Sequence, residues 1–165
     1  PGSTGPARPS RESEDRRPVH PATRLVYLRL ALGERRVFVM RADRRAGESA
    51  VVESYPVAIG RSGYETPTGH FVVTEKIVNP EFTLYDDWDQ PSRVVRRFDP
   101  GPENPLGLRW IGFASVDGLG IGFHGTSRPE LLGQAVSHGC VRMRNADVVR
   151  LYDYVAIGTT VIVEP

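Results

Sequence analysis

From Leu25 onward the chain reads as short runs of alternating apolar and polar residues, each closed off by Gly, Pro, Asn or Asp. In "LVYLRLAL" (25–32), Val26, Leu28, Leu30 and Leu32 fall on one face, the two-residue period of a half-buried strand. Gly33 and Glu34 can turn the chain, so that "RVFVM" (36–40) pairs back as a hairpin. Further runs of this kind are "AVVESYPVAI" (50–59), "HFVVTEKIV" (70–78), "LRWIGFA" (108–114), "GIGFH" (120–124) and "TVIVE" (160–164). About seven strands separated by turn residues predict a mainly β, single-domain sandwich or barrel around one core.

One stretch carries the helical period instead. After Asn145, read as an N-cap, Val148, Leu151, Tyr152 and Val155 recur at i, i+3, i+4 and i+7, and Gly158 follows as a stop, which predicts one C-terminal helix. A shorter helical turn is expected in "SRPELLGQ" (127–134), capped by Ser127 with Pro129 in its first turn. Residues 79–107 hold prolines at 80, 91, 100, 102 and 105 and little periodicity, the marks of a long lid-like loop. Residues 1–24 contain five prolines, mixed charge and only Ala7, Val19 and Ala22 as apolar residues. That is too little apolar surface to offset the entropy of ordering them, so a disordered tail or linker is expected ahead of a domain at 25–165.

Composition narrows the function classes. Hydrophobic residues at 39% and charged residues at 25% describe an ordinary globular domain, and no apolar run approaches the ~18 residues of a membrane span. The net charge is +1, and its basic surplus lies in residues 1–24, with five arginines against three acids; the rest carries 16 basic against 17 acidic residues. A nucleic-acid binder needs clustered, unbalanced Lys and Arg, so no nucleic-acid partner is expected. The single cysteine, Cys140, cannot form an internal disulfide and says nothing about redox compartment.

That cysteine stands in "AVSHGCVRMRN" (135–145), two residues after His138 and two before Arg142. An unperturbed thiol is only a few per cent thiolate at neutral pH and needs a base or a positive neighbourhood to act as a nucleophile. His138 would project to the same side of an extended segment as Cys140, and His124 ends the apolar run "GIGFH", where a strand can hold it rigidly. Arg142 favours a thiolate and an anionic substrate group, and Gly139 permits a backbone in which successive N–H groups share one concavity, as an oxyanion hole requires. Against this stands the plain reading of a lone cysteine as a small buried hydrophobe and of His124 as a satisfied core histidine. "SHGC" is polar and glycine-containing, poor core material, so the residues by themselves leave both readings open. A zinc set drawn from His70, His124, His138 and Cys140 is a third reading, disfavoured because the ligands lack the short paired spacing of structural zinc sites. His20 falls in the tail.

"HGT" at 124–126, six residues, Gly133, three residues and then "SHGCVRM" at 137–143 resembles the signature of the L,D-transpeptidase (YkuD-type) catalytic domain. "YPVAIG" (55–60), "TPTGHF" (66–71) and "NPLG" (104–107) are similar to further blocks of that family, in the same order, and the resemblance covers about residues 25–165. It implies a β-sandwich of the L,D-transpeptidase type with Cys140 as nucleophile, His124 as general base and then acid, and the Gly125 carbonyl orienting the His124 ring. It further implies oxyanion donors from the backbone at His138, Gly139 and Cys140, with Ser137, His138 and Arg142 shaping the site or holding substrate. The implied donor is a peptidoglycan tetrapeptide stem, cleaved between its third and fourth residues with loss of D-alanine, and the acceptor an amine of a second stem, giving a 3-3 cross-link. No cofactor or metal is implied, and carbapenem-type β-lactams are implied covalent inhibitors.

Two rivals accompany this reading: an L,D-carboxypeptidase on the same scaffold, with water as acceptor, and a non-catalytic peptidoglycan-binding module. The module is expected to have lost its cysteine or histidine, and both Cys140 and His124 are present. "LYDDWD" (84–89) places Asp86, Asp87 and Asp89 beside Tyr85 and Trp88, either a receptor for a cationic amine or a plain solvated loop. "TPTG" is read as a structural turn. The resemblance also implies an exported cell-envelope protein, with any signal or anchor lying ahead of Pro1.

Overall fold

The computed structural model describes residues 26–43, 47–87 and 92–165; the expected tail, with His20, lies outside them. In chain order its strands are β1 (Val26–Ala31), β2 (Arg36–Asp43), β3 (Glu48–Pro56), β4 (Ile59–Gly60), β5 (Gly69–Val72), β6 (Glu75–Val78), β7 (Phe82–Tyr85), β8 (Val94–Phe98), β9 (Arg109–Val116), β10 (Leu119–His124), β11 (Ala135–Ser137), β12 (Val141–Arg142) and β13 (Thr160–Glu164). The single α-helix among them, α1, spans Asn145–Tyr154. One sheet runs β3-β2-β1-β13-β5 and a second runs β12-β10-β9-β6, with β11-β4 and β7-β8 as two-stranded pairs.

The expected hairpin forms from β1 and β2, with Val26 opposite Arg41 and Ala31 opposite Arg36. Alternation sends Leu28, Leu30, Val37 and Val39 into the core from this sheet, joined by Val161 and Val163 from β13. Ile111 and Phe113 of β9, Phe123 of β10 and Val141 of β12 meet them from the second sheet, and Val148 and Leu151 from α1. Each such side chain contributes roughly 1.5–3 kcal/mol on burial, so one shared cluster binds both sheets and the helix.

Residue parity then fixes what the other face of the second sheet carries. Lys76 on β6 points to the helix side, where its Nζ donates to the Val155 carbonyl at 2.6 Å and lies 3.9 Å from the Tyr152 ring. Its neighbours Glu75 and Ile77 therefore face away from the core, as do Trp110 on β9 and His124 on β10, each next to a core residue in sequence.

Two expectations are refined. Residues 79–107 are not an irregular loop throughout: they carry the β7–β8 hairpin, with Phe82 opposite Phe98 and Leu84 opposite Arg96. The Asp86 carboxylate accepts N–H bonds from Asp87, Ser92 and Arg93, which ties the ends of the two strands together; residues 88–91 lie outside the described residues. The strand signal was weak because Val94, Val95, Arg96 and Arg97 are all exposed, which erases the alternation. The second refinement concerns Asn145, which is the first residue of α1 behind Arg144 rather than its cap; the Asn145 side chain is engaged elsewhere, as described below.

Candidate active site

Directly opposed residues of the second sheet make a row across its outer face: Arg142 pairs with His124, His124 with Trp110, and Trp110 with Ile77. Strands lie about 4.8 Å apart, so the row extends roughly 14 Å. Continuing the same register by one residue puts Cys140 beside Gly122, diagonal to His124 on the same sheet face. All four residues of the row, together with Cys140, Ser137 and His138, border one cavity of about 340 Å³. Pro80, Glu81 and Phe82 from the hairpin segment, and Pro105 and Leu106 from "NPLG", border it as well.

His124 is 5% exposed, and its Nδ1 lies 2.6 Å from the Gly125 carbonyl. A carbonyl only accepts, so Nδ1 carries the proton and Nε2 is the lone-pair nitrogen. The Trp110 indole stacks on the imidazole at 6.0 Å between centroids and 20° between planes, and is itself anchored by Nε1–H donation to Glu75 at 2.8 Å. Burial pushes the His124 pKa down to about 4; the Gly125 carbonyl opposes the shift and the Arg142 charge adds to it. The unfolded chain, with an ordinary histidine pKa near ~6.5, binds this proton first, so stability is complete above that value and is lost as pH falls toward about 4. Urea titrations at pH 7 and pH 4 should differ by about 3 kcal/mol from this residue, and His124→Gln should remove that difference.

The Cys140 thiol is half-buried, and its Sγ lies 3.6 Å from the Gly120 carbonyl. Burial pushes its pKa up; the Gly122 backbone and the Arg142 charge pull the other way without overcoming it. Burial thus favours the uncharged form of both partners, and the resting pair near neutral pH is thiol and imidazole rather than thiolate and imidazolium. The segment 137–140 is clamped by Ser137, whose hydroxyl donates to the Cys140 carbonyl at 2.5 Å and accepts from the Gly139 N–H at 3.2 Å. Gly139 has φ 115°, a conformation in which a side chain is strained, and a Cβ there would lie 2.9 Å from Ile121 Cδ1.

The other residues singled out in the sequence divide. Ser137 borders the cavity but is 1% exposed, with its hydroxyl engaged inside the clamp. His138 borders the cavity with Nε2 facing the Arg61 guanidinium at 3.2 Å and its ring against Tyr64. A guanidinium only donates, so the lone pair of His138 is committed to Arg61. Of the amides named for an oxyanion hole, that of Gly139 is taken by Ser137, and that of Cys140 has no hydrogen-bond partner among the described residues. Arg142 is half-buried with no carboxylate in ion-pair range among the described residues. His70 is on β5 in the other sheet, opposite Ile162, apart from His124 and Cys140. Of "LYDDWD", the described residues Tyr85, Asp86 and Asp87 do not border the cavity, and Trp88 and Asp89 lie outside the described residues; the acids that do border it are Glu75 and Glu81.

Sequence reasoning missed Trp110, Glu75 and the side chain of Asn145. Asn145 Oδ1 accepts from the Leu108 N–H at 3.1 Å and Nδ2 donates to the Thr126 carbonyl at 3.2 Å, tying the "HGT" turn to "NPLG". Gly125 and Gly107 pack so closely beneath it that a Cβ on either would collide with Asn145 Oδ1. Asn145→Ala is expected to destabilise the fold by about 2 kcal/mol through the two orphaned backbone groups. It should also lower turnover several-fold by freeing the carbonyl that orients His124; a denaturant titration beside a turnover assay reads both. The two turns are visible in the sequence as "HGT" and "NPLG", but only folding joins them through Asn145.

A two-sheet β domain with one buried imidazole and one thiol on the same sheet face, bordering one open cavity, is the arrangement of a thiol–imidazole site. The profile of the L,D-transpeptidase catalytic domain (YkuD) matches residues 26–163, and the chain belongs to this family. YqjB of Bacillus subtilis, which carries an L,D-transpeptidase name, is 39% identical over 129 residues, covering 73% of this chain and 68% of its own. The "Probable L,D-transpeptidase ErfK/SrfK" of Escherichia coli is 33% identical over 120 residues, covering 69% of this chain and 37% of its own. Among solved structures, L,D-transpeptidase 3 from Mycobacterium tuberculosis superposes with a TM-score of 0.63 at 21% identity, covering 86% of this chain and 61% of that one. The mainly β fold with its single described α-helix is thus that of the L,D-transpeptidases. The chain spans between about a third and two thirds of the length of these relatives.

Proposed function

We propose that this domain is a cysteine-dependent L,D-transpeptidase acting on peptidoglycan tetrapeptide stems. The observation that carries the reading is the shared sheet face: Cys140 stands diagonal to a His124 whose Nδ1–H is held by Gly125, so that Nε2 is the available base. His138, adjacent in sequence, has its acceptor nitrogen on Arg61 and is not the base. Cys140 Sγ attacks the carbonyl between the third and fourth stem residues while its proton passes to His124 Nε2. As the C–N bond breaks, that proton leaves with the amine of D-alanine, and the third residue stays on sulfur as a thioester. An amine of a second stem then attacks the thioester carbonyl and gives one proton to His124 Nε2; as the C–S bond breaks, that proton returns to the Cys140 sulfur and the 3-3 cross-link is left, and the two covalent half-reactions make the kinetics ping-pong.

Because the resting pair is uncharged, the thiol is deprotonated as it attacks. Arg142, at one end of the row with no carboxylate in ion-pair range among the described residues, receives an anionic group of the donor, and Glu75 on β6 at the other end, with Glu81 on the cavity border, receives the amino group of the acceptor. Solved relatives hold a faropenem-derived adduct in one case and imipenem in another, which supports β-lactams as covalent ligands of Cys140 here. The reading also places residues 25–165 as the catalytic unit of an exported, cell-envelope protein; no described helix is long and apolar enough to cross a membrane. Incubation with a disaccharide-tetrapeptide followed by mass spectrometry tests the reaction. Cross-linked dimer with free D-alanine is expected, tripeptide alone would make the domain a carboxypeptidase, and unchanged substrate would contradict both.

A further inference from the structure

Thr66 opens the "TPTG" turn and is 3% exposed. Its hydroxyl lies 3.0 Å from the Gly60 nitrogen and 2.8 Å from the Gly139 carbonyl. The direction of both bonds is fixed by their partners, since an amide N–H only donates and a carbonyl only accepts. The one hydroxyl proton therefore goes to the Gly139 oxygen. That oxygen belongs to the peptide that ends in the Cys140 N–H, and no cis peptide occurs among the described residues. In a trans peptide the carbonyl and the N–H point in opposite directions, so pulling the Gly139 oxygen toward Thr66 turns the Cys140 N–H the other way. This is the amide that has no hydrogen-bond partner among the described residues, on a residue that borders the cavity. The neighbouring Gly139 N–H, bonded to Ser137, is not available.

We infer that Thr66 is a positioning residue for acyl transfer: by holding the Gly139 carbonyl it aims the Cys140 N–H at the developing oxyanion and, through the shared peptide, strengthens it as a donor. The inference rests on the reading of Cys140 as an acyl-accepting nucleophile. Thr66 touches neither substrate nor thiol. Gly60 completes the device, because its N–H fills the hydroxyl's acceptor side and commits the proton to Gly139.

The test compares two reactions of one sulfur. In acylation by a carbapenem, Sγ adds to the lactam carbonyl, the C–N bond breaks and the ring nitrogen takes a proton, by way of an oxyanion. In alkylation by iodoacetamide, Sγ displaces iodide from a saturated carbon and no oxyanion forms. Thr66→Val should lower the acylation rate at saturation ~10- to 100-fold, somewhat less than loss of a whole oxyanion donor, with alkylation within about twofold of wild type. Thr66→Ser should restore acylation. Thr66→Ala, which leaves room for a water, is the second variant should valine prevent folding, and should show the same selective loss in smaller degree.

Equal falls in both reactions, or serine behaving like valine, would overturn the positioning role and leave Thr66 a structural hydroxyl. Acylation unchanged in folded Thr66→Val or Thr66→Ala would overturn it as well, while leaving the nucleophile reading intact. Wild type that is alkylated yet never acylated would overturn the acyl-transfer reading, and this inference with it.

Discussion

Replacing Cys140 by alanine is expected to abolish release of D-alanine from a tetrapeptide stem, by about 10³-fold or more, while the protein stays folded. Cys140 is the one cysteine of the chain, and the two nearest candidates in its own segment are committed. Ser137 has its hydroxyl in the clamp, and the His138 lone pair faces Arg61. Folding should survive because Cys140 is only half-buried against the core and its carbonyl, not its sulfur, completes the turn. Loss of one sulfur from such a site costs about 1 kcal/mol, a melting shift of a few degrees. Cys140→Ser should be nearly as inactive, since a hydroxyl gives up its proton far less readily than a thiol. Retention of a tenth of wild-type turnover by Cys140→Ala would remove the nucleophile from the account.

The second large effect is at His124. His124→Gln should lower acylation by roughly 10³-fold, yet change alkylation by iodoacetamide at pH 7 only slightly. The difference follows from the electrostatics of the pair. Burial holds the His124 pKa down at about 4 and pushes that of Cys140 up, so the imidazole does not keep a thiolate in the resting enzyme. It acts only when the proton must move. For the same reason the acid limb of the wild-type pH–rate profile should lie near pH 4, where the base finally protonates, and not near the ordinary histidine value of ~6.5. An acid limb between pH 6 and 7, or alkylation that collapses in His124→Gln, would instead indicate a standing ion pair.

Much of the fold was legible because strand period and burial agree. Val26, Leu28 and Leu30 alternate inward as their spacing predicts, and Val148 and Leu151 mark the buried stripe of α1. The β7–β8 hairpin escaped because Val94 to Arg97 of β8 are exposed on both faces and Phe82 to Leu84 of β7 are all half-buried, which leaves no alternation to read. At the site, Cys140, His124 and Arg142 were legible as a signature, but not the reason for its spacing. That reason is a register: β12 lies parallel to β10, so Arg142 stands beside His124 and Cys140 one pleat away.

The cross-strand neighbours Trp110 and Glu75 carry no local pattern that separates them from ordinary strand residues, and only the pairing of β6, β9 and β10 brings them to the imidazole. The same holds for the turns. "YPVAIG", "TPTG" and "NPLG" are far from "SHGCVRM" in sequence, and folding connects them through two side chains, Thr66 to Gly60 and Gly139, and Asn145 to Leu108 and Thr126. Asn145 was read as a cap because helix starts favour its type, whereas its amide serves the long-range contact.

The central claim, that Cys140 takes an acyl group with His124 as its base, is tested most directly by intact-mass analysis after exposure to a carbapenem, followed by peptide mapping. The account predicts one adduct per chain, on the peptide that contains Cys140, formed quickly in wild type, slowly in His124→Gln and not at all in Cys140→Ala. A wild-type protein that gains no mass while its thiol remains titratable, or an adduct that persists in Cys140→Ala, would contradict it.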